Sequence, residues 1–481
     1  MKKLTLILAS LILSATMQAG SLRTAHIFSD HMVLQRETSA PVWGWGEAGK
    51  TVAVKCPWNG KTYKTAVGDD GKWKISIPTA EAGGPYTITV KSGKEKVEIN
   101  DVYLGEVWIC SGQSNMEMPV GGFGFQELEG STEAIMESSG TASLVRVFDI
   151  RTGKKTEPAD DVEAEWALTS PAVTAKTSAI AYFFGKRLSK FLGMRVGVIV
   201  NAWGGSRIEP WMTREAIEGS GISASELAEI YAVEEKPDRW PETPELVWNS
   251  RVAPIAGFAA KGILWYQGCS NILQNYYDKL QAAMVRQWRE AWGLDLPFIY
   301  TLLAPYDHSM PEGRWRPRFV ETQLRAEKLV PDCWAISTET LGSEVSIHPP
   351  KKKEIADMMV LRALKSVYEF PSGITAIDLP KIHSVKYLED GTAVLRLTRT
   401  KCGLGSISSR DVIGFELAGE DRVFHLAGAR IDMDGQTIRI KCKEVPHPIA
   451  LRYSFRNWMG ANLQKSNGIP VPPLRTDDWD D

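Results

Sequence analysis

Val107-Trp-Ile-Cys-Ser-Gly-Gln-Ser-Asn-Met116 decides how the chain folds. The apolar run 107–110 reads as a buried strand, and Ser111-Gly-Gln-Ser-Asn ends it abruptly with turn-forming residues. Similar apolar runs recur at residues 145–150, 196–201, 262–266, 298–303 and 333–337, separated by text with helical periodicity. Such alternation predicts a parallel sheet covered on both faces. After Ser178, a plausible cap, Ile180, Phe183, Phe184, Leu188, Phe191 and Leu192 form one helical stripe. Residues 275–292 and 317–329 predict two further helices. Another is expected over 353–367, with Pro349 and Pro350 in a first turn where a missing N–H costs nothing.

Outward from this α/β core the pattern changes. Residues 22–102 alternate apolar with polar, as in Thr51-Val-Ala-Val-Lys and Trp73-Lys-Ile-Ser-Ile, and predict a small β-sandwich. Trp43 and Trp45 fall at period two, so one face of their strand is expected to pack heavily, a sugar-binding platform being the alternative. From about residue 375 the β pattern returns, as in Thr437-Ile-Arg-Ile-Lys-Cys. The expected divisions are a signal peptide at 1–20, an N-terminal β domain at 21–103, a catalytic α/β domain at 104–370 and a C-terminal β domain at 371–481.

A length of 481 residues fits this count, being more than one core usually organises. With 56 Lys and Arg against 58 Asp and Glu, the chain has no global attraction for nucleic acid or anionic membrane. Met1-Lys-Lys, an apolar run to Ala15 and Ala19 match a secretory signal peptide, cleaved near Ala19 or Gly20, and predict export to the periplasm or beyond. That run is too short for a membrane span, which needs about 20 residues. The six cysteines form no CxxC pair, and export makes disulfides possible, but small buried hydrophobes are the expected role. Histidine and cysteine spacings fit no metal site, and no cofactor is implied.

Ligands of a parallel sheet bind outside the carboxyl ends of its strands, which directs attention to four loops. Ser114 can present its hydroxyl on the turn after residue 110, or simply cap a helix. Asn201-Ala-Trp-Gly-Gly-Ser-Arg-Ile-Glu-Pro-Trp211 offers backbone N–H groups to an oxyanion, or is a plain tight turn. Leu264-Trp-Tyr-Gln-Gly-Cys-Ser-Asn271 places an asparagine amide at a strand end, and Ser346-Ile-His-Pro-Pro350 brings one of seven histidines to the start of a helix. Gln113, Arg207, Trp211 and Gln267 lie where they can touch a substrate, Arg207 by pairing with a sugar carboxylate. Each also has an ordinary reading as a salt bridge, core packing or a loop hydrogen bond.

Together these loops resemble the sialate O-acetylesterase family of the SGNH hydrolase superfamily. In that family a GQSN loop carries the nucleophile, GG and WYQGxSN loops complete the oxyanion hole, and a DIHP loop supplies acid and base. His31-Met-Val-Leu-Gln-Arg36 and Arg475-Thr-Asp-Asp-Trp479 extend the likeness over nearly the whole mature chain. The resemblance implies an SGNH-type three-layer α/β/α core with a parallel sheet, flanked by N-terminal and C-terminal β domains. It implies Ser114 as nucleophile, His348 as base, and Gly205 (or its neighbour Gly204) with Asn271 in the oxyanion hole. The implied activity removes acetyl groups from sugars such as sialic acids.

Three positions depart from the family. Ser346 stands where the triad aspartate belongs, Cys269 where WYQGESN has glutamate, and Leu302-Leu303 where a glutamine precedes Ala304-Pro-Tyr306. The first matters most, because losing the triad acid costs ~10⁴-fold in well-studied serine proteases. Three readings follow: a backbone carbonyl orients His348, Glu344 or Glu339 substitutes, or the protein is a catalytically impaired carbohydrate-binding protein on the esterase fold. His348 is expected to titrate near the free-residue value of about 6.5.

Overall fold

Continuous apolar strands need cover on both faces, and seven strands supply the central sheet of the computed structural model. It describes residues 20–141, 144–151, 153–232, 241–371, 376–407, 409 and 411–479. The expected signal peptide, Gly20 excepted, lies outside the described residues. The strands are β1 (Glu95–Gly112), β2 (Val145–Asp149), β3 (Trp166–Leu168), β4 (Val196–Ala202), β5 (Gly262–Tyr266), β6 (Phe298–Thr301) and β7 (Cys333–Ile336). Their order is β3-β2-β4-β1-β5-β6-β7, and every pair is parallel except β3 with β2. Every residue of β4, β5 and β6 is buried. The strand expected over 298–303 stops at Thr301, and the Leu303 N–H leaves the ladder for the Gln323 side chain, 2.8 Å away.

β1 is the long element. Its first half pairs antiparallel with Gly83–Ser92, and its second half pairs with β4 and β5, so it runs unbroken through position 103/104. Buried side chains from Leu22 to Leu379 accordingly form one contiguous hydrophobic cluster. In the N-terminal strand Ser39–Trp45 the buried side carries Ala40, Val42 and Gly44, while Trp43 and Trp45 lie half-buried opposite. Both tryptophans pack against the edge of the core, Trp43 edge-on to the buried Phe28 at 4.6 Å, and the Arg23 guanidinium sits 3.5 Å over Trp45.

Five helices matter for the site: α1 (Ser114–Glu117), α2 (Ala179–Leu192), α3 (Tyr277–Trp292), α4 (Trp315–Ala326) and α5 (Lys352–Ser366). α2 packs on α5 and α3 on α4. Ser178 caps α2 as expected, its hydroxyl accepting from Ala181 N at 3.2 Å. Phe191 leaves the predicted stripe and stays 41% exposed against the edge of Phe370. Pro349 and Pro350 precede α5 rather than opening it, because a proline disfavours helical geometry in the residue before it.

Beyond the central sheet, seven antiparallel strands between Ile382 and Arg475 form a second sheet with its own hydrophobic cluster. A buried ion pair ties it to the core: Arg316 of α4 grips Glu339 at 2.8 and 3.0 Å and donates to Ser454 O at 3.1 Å. Among the described residues no helix is long and apolar enough to cross a membrane.

Candidate active site

After β1 the chain builds β2 and β4 on one side, then β5 to β7 on the other, so the crevice at the end of β1 is a topological switch point. Two glycines open it. Gly112 ends β1 at φ +139°, where a Cβ would sit 2.2 Å from Tyr266 O of β5. Gly268, at φ +147°, leaves no room for a Cβ beside the Phe319 ring. The two loops thus leave the sheet side by side, and Gln113 fastens them by accepting from Gly268 N at 2.8 Å. Gln113 is 2% exposed, which makes it a tie between loops rather than the expected substrate contact.

Ser114 opens α1 without capping it, since the N-cap position belongs to Gln113. Its Oγ lies 2.8 Å from His348 Nε2. The other ring nitrogen, Nδ1, donates to Oε1 of Gln126, a residue outside every sequence expectation. Gln126 sits on a tight turn closed by Phe123 N to Gln126 O (3.0 Å), and Phe123 packs edge-on against the imidazole at 5.3 Å. Neither of the two orienting arrangements expected from sequence, a backbone carbonyl or the carboxylate of Glu344 or Glu339, is found. Ser346 bonds only the backbone N and O of His348, shaping the loop without reaching the ring. Glu339 is held by Arg316, and neither it nor Glu344 bonds the imidazole.

Burial, reinforced by the Lys352 ammonium, lowers the His348 pKa to about 4, well below the expected 6.5. Lys352 is itself fully buried and donates to Asn115 Oδ1 at 2.5 Å; burial brings it down to about 7. Burial pushes the nearby Cys269 thiol up to about 12, and it stays protonated. All six cysteines are free thiols.

The remaining expected residues fare unevenly. Asn271, expected in the oxyanion hole, has its Nδ2 engaged by Glu209 (3.0 Å) and Gln274 (2.5 Å), while its Oδ1 accepts from Ile208 N and Gln267 Nε2. Gln267 is consumed by the same buried network, donating also to Ser206 O and accepting from the Tyr277 hydroxyl. Trp211 is a core residue, fully buried, with its Nε1 on Ser206 Oγ and its ring edge-on to Trp265. Arg207 pairs with Glu242 at 3.2 Å. Of the two glycines, Gly204 lies against Ser114, and its N–H donates to Glu117 Oε2 at 2.7 Å. The amides of Gly205 and Ser114 make no internal hydrogen bond among the described residues. No cluster of three or more His, Cys, Asp or Glu able to hold a metal occurs among them either.

The sequence pattern of the family described as carbohydrate esterase, sialic acid-specific acetylesterase, matches residues 104–356. The chain is similar to the sialate O-acetylesterase of Homo sapiens, 26% identical over 507 residues that cover 96% of this chain and 94% of that protein. With the enzyme of the same name from Rattus norvegicus it shares 26% over 404 residues, 72% of this chain and 73% of that one. Among solved structures it is similar to a carbohydrate acetylesterase from Xanthomonas citri, with TM-score 0.83, 28% identity, and coverage of 95% of this chain and 100% of the other. The matched span holds the Ser114–His348 pair and all seven strands of the central sheet except the first half of β1; the chain belongs to the sialic acid-specific acetylesterase family of carbohydrate esterases.

Proposed function

We propose that the protein hydrolyses acetyl esters on sugars, sialic acids among them, with Ser114 as nucleophile and His348 as base. The 2.8 Å contact between Ser114 Oγ and His348 Nε2 carries this reading. Gln126 Oε1 accepts a hydrogen bond from the Nδ1–H and so leaves the Nε2 lone pair facing Ser114, the orienting half of what a triad acid does. Ser114 Oγ attacks the acetyl carbonyl while Nε2 takes its proton, and the unpaired amides of Ser114 and Gly205 are the available oxyanion donors. His348 returns the proton to the departing sugar hydroxyl. Water, deprotonated by the same nitrogen, then releases acetate and restores the serine.

The same reading assigns residues 104–370 to an SGNH-type three-layer core flanked by β regions at 21–103 and 371–481, the first of them continuous with the core through β1. It also assigns export, supported by the Lys2-Lys3 start and the apolar run that follows. A mature N-terminus near Gly20 on the exported protein is the expected outcome of N-terminal sequencing.

The test is hydrolysis of p-nitrophenyl acetate and of 9-O-acetylated sialic acid, with Ser114→Ala alongside. Turnover in the wild type that the variant abolishes is expected. Sugar binding with equal, negligible turnover in both proteins would favour a binding protein on the esterase fold.

A further inference from the structure

We propose that Lys352 is a positioning residue of this site: through Asn115 it holds the Ser114 and His348 loops together. The inference rests on the esterase reading for its kinetic part only.

The geometry is a short bridge. Lys352 Nζ donates to Asn115 Oδ1 at 2.5 Å, and Asn115 Nδ2 donates to Ile347 O at 3.1 Å. Asn115 follows the nucleophile and Ile347 precedes the base, so the bridge joins the two residues that flank the reacting pair. Lys352 is fully buried and makes no ion pair with a carboxylate among the described residues. Its ammonium lies 5.5 Å from the centre of the Tyr266 ring.

The titratable groups facing it are the Tyr266 phenol from β5, the Cys269 thiol from the loop after β5, and His348 from its own segment. Burial raises the phenol and the thiol, so both are neutral and the charge meets no anion. An unpaired buried ammonium destabilises a fold, and a methionine of similar length fills the same space. What the lysine adds beyond packing acts on its neighbours: a donor for Asn115, and a positive field that opposes protonation of His348.

The experiment compares Lys352→Met, Lys352→Gln and Asn115→Ala with wild type, reading kcat and KM on p-nitrophenyl acetate and the His348 titration by NMR. Lys352→Met is expected to lower kcat by tenfold or more with little change in KM, and to move the His348 titration upward towards the ordinary range. Lys352→Gln keeps a donor without the charge, so kcat recovers partly while the titration stays raised. Asn115→Ala cuts the bridge but leaves the charge, so kcat falls and the titration remains near that of wild type.

Wild-type kcat and wild-type titration in Lys352→Met overturn the proposal. Should that variant not fold, wild-type kcat in Asn115→Ala together with an unmoved titration in Lys352→Gln overturns it. Should the wild type hydrolyse no acetyl ester, the esterase reading fails on its own, and the NMR titration in wild type and Lys352→Met still decides whether Lys352 acts on the imidazole.

Discussion

An amide oxygen on the imidazole orients it as a carboxylate does but brings no charge to stabilise the imidazolium. Gln126→Ala is therefore expected to cost less than loss of a triad aspartate, roughly 10- to 100-fold in kcat on p-nitrophenyl acetate. The pH profile follows from the same neutrality. Because the neutral base is the active form, kcat/KM should hold steady downward from neutral pH and fall only as His348 protonates near 4. Gln126→Glu places an anion there, which favours the protonated ring, so its acid limb should lie at higher pH than that of wild type. At this scale the loops that bring Ser114 and His348 into contact were legible because each is a compact stretch of unusual text. Gln126 was not: its contact with His348 spans 222 residues, and Gly121-Gly-Phe-Gly-Phe-Gln126 reads as an ordinary glycine-rich turn. The buried network of Asn271 and Gln267 was not legible either, because an amide side chain does not announce its partners, here Glu209, Gln274 and Tyr277.

Strands and loops were read more faithfully than single side chains, because burial on both faces leaves continuous apolar runs that need no knowledge of their partners. The end of β1 shows how an element sets the chemistry. A Cβ at Gly112 meets the Tyr266 carbonyl at 2.2 Å, so Gly112→Ala must push β1 away from β5. The expected result is a loss of about 2 kcal/mol or more in urea unfolding. A fall in kcat of up to ~10²-fold should accompany it, since Ser114 moves relative to His348. The start of α5 was misplaced because two consecutive prolines suit a first turn in isolation, whereas in the fold Pro350 O accepts from both Glu129 N and Lys352 N.

Across the whole molecule, the Arg316–Glu339 pair fastens the C-terminal sheet to the core. Arg316→Met should destabilise by about 3–5 kcal/mol in equilibrium unfolding, because it strands a buried carboxylate, and adding Glu339→Leu should recover much of the loss. No local pattern in the sequence pointed to this pair, whose members approach only when α4, the segment after β7 and Ser454 converge. The β text before and after the core was legible, yet the continuity of β1 was not, because a change of pairing partners midway along a strand leaves no mark on its alternation. That continuity restricts how such a protein can be reassembled from pieces. A recombination junction at 103/104 would fall inside a hydrogen-bonded strand, so the N-terminal sheet cannot be exchanged as an independent cassette and must be inherited together with the serine that the strand delivers.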